Sequence, residues 1–103
     1  MYRLRFFDDY GSGWLWPGDE ATRDAFDLGP IDALLPISPE TRALADRLSA
    51  QHAASVNQDY PPDGCQWPQA DRDAFNAQVE SLYQRLWAEL GADFLLIDER
   101  MIL

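Results

Sequence analysis

The sequence predicts one small α+β domain, with about three strands against two helices in the order β-β-α-α-β. Three patterns lead to this prediction: an alternating N-terminal stretch, two stretches with apolar residues every three or four positions, and an apolar run near the C-terminal end. At 103 residues, 47% of them hydrophobic and 13% aromatic, the chain can bury one core and is too short for a second. Residues 1–103 are therefore interpreted as a single domain.

The strands are predicted from short apolar stretches. Residues 2–7 alternate in the manner of a strand, with Tyr2, Leu4 and Phe6 on one side. A turn at residues 10–13 separates them from the aromatic stretch 14–17, which favours a hairpin. Residues 94–97 are apolar on both faces, and this predicts a third strand that is central to the sheet. If both helices cover the Leu4 side, the other face stays partly open; it would carry Arg3, Arg5, Phe7 and Leu15.

Two longer helices follow a short helical turn predicted at residues 20–26. Ser38-Pro39-Glu40 is typical of a helix start, with a hydroxyl cap, a proline at the first position and an acid in the first turn. That helix should reach about Val56. Between Pro68 and Leu90, apolar residues recur at steps of three and four, so this stretch predicts the main helix, which Gly91 can end.

The charge balance restricts the classes of partner. Eighteen acidic residues against eight basic ones give a net charge of −10. Such a field repels nucleic acid and anionic membranes and attracts basic surfaces, so we expect no direct binding to either of the first two. The N-terminal stretch lacks the pattern of a signal peptide, and no stretch reaches the length of a membrane span. We expect a cytoplasmic protein.

Few residues indicate chemistry. His52 is the single histidine and Cys65 the single cysteine, so no transition-metal ligand set is present; a packing or surface role is favoured for His52 and a buried or half-buried thiol for Cys65. Acids at Asp8-Asp9 and Asp19-Glu20 lack the spacing of a calcium loop. We predict no catalytic residue, no metal and no cofactor. Two alternatives stay open: a thiolate at Cys65, and a small metal-dependent hydrolase that uses clustered carboxylates.

The most informative feature is an acidic stretch with interleaved aromatic residues. Between Asp8 and Asp32 there are seven acids and one base, Arg23. Aromatic anchors beside unpaired acids suit a surface that steers and holds a basic protein. The alternative is that the two tryptophans fill the core and the acids keep the protein soluble. The predicted partner-binding residues are Asp8, Asp9, Trp14, Trp16, Asp19, Glu20, Asp24 and Asp27.

A second candidate surface lies between the two long helices. Two prolines stiffen this segment, so its ordering on binding would cost little entropy. The alternative is a rigid cover over the end of the helix pair. The residues predicted for contact are Asp59, Tyr60, Asp63 and Trp67.

The segment Asn57–Asp63 followed by Trp67, between two helices and after an aromatic hairpin, resembles a group of short, uncharacterised bacterial proteins. The small size, acidity and α+β pattern also resemble the immunity proteins of contact-dependent inhibition and related toxin systems. The resemblance implies a non-enzymatic inhibitor that binds and neutralises a toxin domain, here expected to be a basic nuclease. The alternative is a housekeeping adaptor or small regulator that could self-associate.

Overall fold

A computed structural model describes residues 1–9, 11–26, 31–55, 67–100 and 102–103, with the side chain of residue 33 excepted. It confirms the predicted α+β class and the order of the longer elements. Short 3₁₀ turns occupy Asp32–Leu34 and Gly91–Asp93. In chain order the strands and helices are β1 (Tyr2–Phe6), β2 (Leu15–Pro17), α1 (Glu20–Ala25), α2 (Pro39–Ala54), α3 (Gln69–Leu90) and β3 (Phe94–Asp98).

The three strands form one sheet in the order β2-β1-β3. The predicted hairpin is confirmed, since β1 and β2 pair antiparallel with Phe6 opposite Leu15. The prediction that the third strand is central is wrong, because β1 is the strand that pairs on both edges; β3 runs parallel to it with Tyr2 opposite Phe94. Apolar residues on both faces of a strand describe its two faces, and they carry no information about how many of its edges are paired.

The two faces of β1 differ as the alternation predicts. Leu4 and Phe6 are fully buried, whereas Arg3 and Arg5 are exposed. The placement of Leu15 on the open face is wrong. Because residues opposite each other in an antiparallel pair point to the same side, Leu15 shares the buried face of Phe6. The same register places the next residue, Trp16, on the open face beside Arg5.

Both long helices begin and end close to where their sequences predict. The Ser38 side chain accepts a hydrogen bond from the backbone N–H of Thr41 at the start of α2. Pro68 stands just before α3 as its cap, and Gly91 ends the helix with a φ of 74°. The predicted apolar stripe of α3 is buried; its members are Phe75, Val79, Leu82, Leu86 and Leu90.

The helices cover the inner face of the sheet. The ring of Tyr83 in α3 lies 5.0 Å from the ring of Phe6. Glu89 near the end of α3 accepts hydrogen bonds from the backbone N–H of Ser38 and the hydroxyl of Thr41. These bonds hold the pKa of Glu89 below its usual value. The start of α2 is therefore fastened to the end of α3, and both helices lie on one side of the sheet.

Candidate partner-binding surface

Asp8, a predicted contact residue, lies inside the protein with 2% of its surface exposed. Its carboxylate accepts hydrogen bonds from the backbone N–H groups of Gly11 and Gly13, both at 2.9 Å. The Ser49 hydroxyl donates to it at 2.7 Å, and Nδ1 of His52 lies 2.7 Å from its other oxygen. One side chain thus joins the β1–β2 loop to α2.

The pKa of Asp8 reflects this environment. Burial alone would raise it, but the hydrogen bonds from His52, Ser49 and the two glycine N–H groups together hold the pKa below its usual value. Gly11 and Gly13 have φ values of 104° and 137°, in the left-handed region that favours glycine. The Gly-Ser-Gly sequence therefore allows the loop to turn both N–H groups towards the carboxylate.

The residue types Asp8, His52 and Ser49 match a hydrolase triad, but their arrangement does not. In a triad the serine hydroxyl donates to the imidazole so that the base can activate it. Here the Ser49 hydroxyl donates to the carboxylate instead. The His52 ring, 3% exposed, lies between the rings of Trp14 and Phe75 at 6.3 and 5.8 Å. The arrangement of Asp8, Ser49 and His52 therefore supports a structural role, in which these side chains connect the β1–β2 loop to α2.

Trp14, the second predicted contact residue in the interior, is 3% exposed. Its indole N–H donates to the carbonyl of Ala45 in α2 at 2.9 Å, and its ring stacks on Phe6 at 5.2 Å. For this tryptophan the alternative of core packing is the one that the structure supports. Asp8 and Trp14 therefore do not belong to the exposed surface.

Trp16 has the opposite environment. It is half-buried on the open side of the sheet and stacks on Phe7 with ring centres 5.1 Å apart and planes 10° apart. Arg5 lies above the same Phe7 ring, 5.0 Å from its centre, and Glu99 accepts two hydrogen bonds from its guanidinium at 2.7 and 3.0 Å. We call this side of the sheet the outer face; it consists of Arg3, Arg5, Phe7, Trp16, Leu95, Ile97 and Glu99.

The sequence reveals only part of the outer face. Trp16 is in the predicted set, whereas for Leu95 and Ile97 the sequence predicts only that they belong to a strand that is apolar on both faces. No local pattern relates Arg5 to Glu99, because they are 94 positions apart and meet only through the parallel pairing of β1 with β3. The pairing also places Ile97 opposite Arg5.

The predicted acids fall into two groups at opposite ends of β1. Asp9 is exposed beyond the end of β1, whereas Glu20 and Asp24 are exposed on α1, which packs near the start of β1. At ~3.3 Å per residue, the strand separates the two groups by more than about 13 Å. The structure therefore does not bring the predicted acids into one cluster.

Asp19 has a structural role within the second group. It caps α1, because its carboxylate accepts from the backbone N–H of Thr22 at 2.9 Å and from the Thr22 hydroxyl at 2.6 Å. These bonds hold its pKa below the usual value. It also lies 3.9 Å from the guanidinium of Arg3, so it borders the outer face. Asp27 lies outside the described residues.

Only one residue of the second candidate surface can be placed. Trp67 is half-buried, and its ring meets Phe75 edge-on at 5.7 Å, so it packs against the core at the start of α3. This position agrees with a cover over the end of the helix pair. Asp59, Tyr60 and Asp63 lie outside the described residues.

A cleft of about 240 Å³ opens beside the Asp8 cluster, lined by Gly11, Ser12, Gly13, Asp32, Arg42, Asp46 and Ser49. Asp32 accepts hydrogen bonds from the backbone N–H groups of Trp14 and Leu15 at 3.0 and 2.8 Å. Burial raises its pKa, and the nearby Asp46 adds to the rise. Among the residues that the structure describes, no three histidine, cysteine or acidic side chains converge as a metal site would require.

The fold and surface define a class of small α+β protein whose buried polar residues serve the fold and whose outer face displays aromatic and charged side chains. None of the helices in the described ranges has the length and apolarity needed to cross a membrane. The chain belongs to the Serratia CdiI immunity protein-like family, whose model matches residues 2–97. A comparison with curated proteins finds no significant match.

Proposed function

We propose that this chain is a non-enzymatic cytoplasmic immunity protein that binds and neutralises one cognate toxin domain. The observation that carries the proposal is the family match, which spans residues 2–97 and so covers α1, α2, α3 and every residue of the sheet except Asp98. The proposed toxin domain is a basic nuclease. Its cationic substrate groove is covered by this protein, which does not itself bind nucleic acid.

Charge supports a basic partner. The net charge is −10, and three exposed acids of the predicted surface, Asp9, Glu20 and Asp24, lie at the two ends of β1. Long-range attraction between such acids and a cationic groove raises the association rate and selects against acidic partners. Neutralisation then needs no bond-making step, since a tightly held acidic domain keeps the substrate phosphates out of the groove.

The first test is calorimetry with the C-terminal domain of the protein encoded immediately upstream. We expect one-to-one binding with a nanomolar Kd that weakens between low and moderate salt, because the screening length of exposed charges shortens from about 30 Å at 0.01 M to about 8–10 Å at 0.10–0.15 M. A nuclease assay with the same domain should lose activity at one equivalent of this protein. Absence of binding at both salt concentrations would overturn the proposal.

The charge requirement is tested by reversing Asp9, Glu20 and Asp24 together to lysine. We expect a slower association rate and a flatter salt dependence. The matched control reverses Glu40, Asp46 and Asp71, which are exposed acids of α2 and α3. Both variants change the net charge equally; the first removes one acid from the first turn of a helix, Glu20, and the control removes two, Glu40 and Asp71. Equal slowing by both would show that only net charge matters, with no role for the predicted positions.

A further inference from the structure

We infer that the outer face of the sheet, centred on Trp16, Phe7 and Arg5, is where the toxin docks, and that the toxin meets it with an apolar side chain ringed by basic groups. The inference rests on the proposed function and adds to it the position of the contact. Of the three central residues, only Trp16 belongs to the set predicted from the sequence.

The central side chains are held in place before any partner arrives. The indole N–H of Trp16 donates to the carbonyls of Phe7 and Gly13 at 3.0 and 3.2 Å. Arg5 is fixed by its two hydrogen bonds to Glu99 and by the Phe7 ring below it. Tryptophan and arginine are the types most often found at the centre of protein interfaces. Because their positions are fixed in advance, binding loses little side-chain entropy.

The rest of the face suits an apolar contact with a charged rim. Leu95 lies opposite Arg3 and Ile97 opposite Arg5, and both apolar side chains are only half-buried. The ion pairs Arg5–Glu99 and Arg3–Asp19 lie beside these two apolar side chains. An apolar side chain of the toxin would displace water from Ile97 and Trp16, and basic groups around it would meet the carboxylates of Glu99 and Asp19.

Charge decides between the two occupants that such a face could hold. Within the outer face the charges balance, since Arg3 pairs with Asp19 and Arg5 with Glu99. Over the whole chain, a second copy would bring a net charge of −10 against an equal charge, and like charges oppose association. A basic domain gains from the same field. The charge of the whole chain therefore favours a basic toxin domain over a second copy as the occupant of the outer face.

The test compares dissociation rates for the upstream-encoded toxin domain by surface plasmon resonance. Trp16→Ala should raise the dissociation rate and Kd at least 30-fold, with the association rate and salt dependence unchanged, because it removes a central contact and no long-range charge. Ile97→Lys, which places a cation against the basic partner, should have an effect of similar size. The matched control is Trp87→Ala on α3, which removes another partly exposed tryptophan, 37% exposed, and should change Kd less than threefold.

The outcomes separate this inference from the proposed function. If wild-type protein binds the domain and both Trp16→Ala and Ile97→Lys bind as tightly, the outer face is not the contact and only the proposed function stands. If wild-type protein does not bind, both fall. Should Trp16→Ala lose its folded circular dichroism spectrum, Ile97→Lys decides the result: a rise in Kd of at least 30-fold supports the inference, and an unchanged Kd overturns it. A wild-type dimer in sedimentation that Ile97→Lys dissociates would assign the face to self-association and overturn the inference.

Discussion

Two contacts between a carboxylate and a side-chain nitrogen in this protein have the same N···O distance of 2.7 Å and opposite surroundings. The contact between Asp8 and His52 lies in the interior, with side chains 0% and 3% exposed. The contact between Arg5 and Glu99 lies on the outer face, with side chains 45% and 38% exposed. The first joins a loop to a helix, and the second orders a surface that a partner can use.

Burial decides whether a contact made by a carboxylate contributes mainly to folding or remains available to a partner. In the interior, a carboxylate that loses its partners cannot be solvated, so its contacts are strongly coupled to folding. At the surface, water and salt screen the pair, which leaves its side chains available for a new partner at small cost. Variants that break the buried contact should therefore lose the most stability, and variants that break the surface pair the least.

Asp8→Ala should lower the free energy of unfolding by about 3–5 kcal/mol, because it leaves two loop N–H groups, a hydroxyl and an imidazole without their acceptor. Urea unfolding followed by circular dichroism measures the loss. Asp9→Ala is the matched control, since it removes the exposed neighbouring acid and should change stability by at most ~0.5 kcal/mol. Similar losses in the two variants would contradict the organising role of Asp8.

Stability should fall in acid through Asp8. Its folded-state pKa lies below the ordinary value of 3.8, so its contribution is complete above that pH and is lost as the pH falls through the folded-state pKa. The drop in unfolding free energy between pH 7 and pH 3 should therefore shrink in Asp8→Asn. Asp32 has a raised pKa, so its contribution has the opposite sign and is lost as the pH rises.

The matched variant Asp32→Asn should steepen the acid loss of stability, because it removes a group that binds protons more tightly in the folded state. Urea unfolding at pH 7, 5, 4 and 3 follows both variants. The assignment of Asp8 fails if Asp8→Asn and wild-type protein lose the same free energy over this range.

The smallest effect on stability is expected from the surface pair. A double-mutant cycle of Arg5→Ala, Glu99→Ala and the double variant should give a coupling of about 0.2–1 kcal/mol, since both side chains are substantially exposed. Raising the salt concentration to 1 M should reduce that coupling further. A coupling above 2 kcal/mol would mean that the pair serves the fold in the manner of Asp8 and His52.

Elements with a clear period or cap could be predicted from the sequence. The α3 stripe from Phe75 to Leu90 and the Ser38 cap of α2 depend on neighbours within four positions, and local chemistry decides them. The predicted central position of the third strand failed because strand order depends on pairing between residues more than ninety positions apart. The register that turns Leu15 inwards is likewise set by its partner strand.

The candidate surface was harder to predict for the same reason. Asp8 and Asp9 are adjacent acids with identical chemistry, yet one has four partners in the interior and the other is exposed. The partners of Asp8 on α2, Ser49 and His52, are 41 and 44 positions away, so nothing near Asp8 reveals them. The number of acidic residues gives the charge of a stretch. Which of these acids are buried depends on the hydrogen-bond donors that the fold brings to each carboxylate.

The parallel pairing of β1 with β3 also sets the order of events during synthesis. Tyr2 lies opposite Phe94, so this pairing closes a loop of about 90 residues. At ribosomal rates β3 emerges roughly 5 to 20 seconds after β1, which until then has one edge without its strand. Arg3 and Arg5 occupy alternate positions of β1, and charged side chains on a strand with an unpaired edge disfavour pairing with other nascent chains. We therefore expect these two arginines to protect the unpaired edge of β1 from association with other chains until β3 has been synthesised.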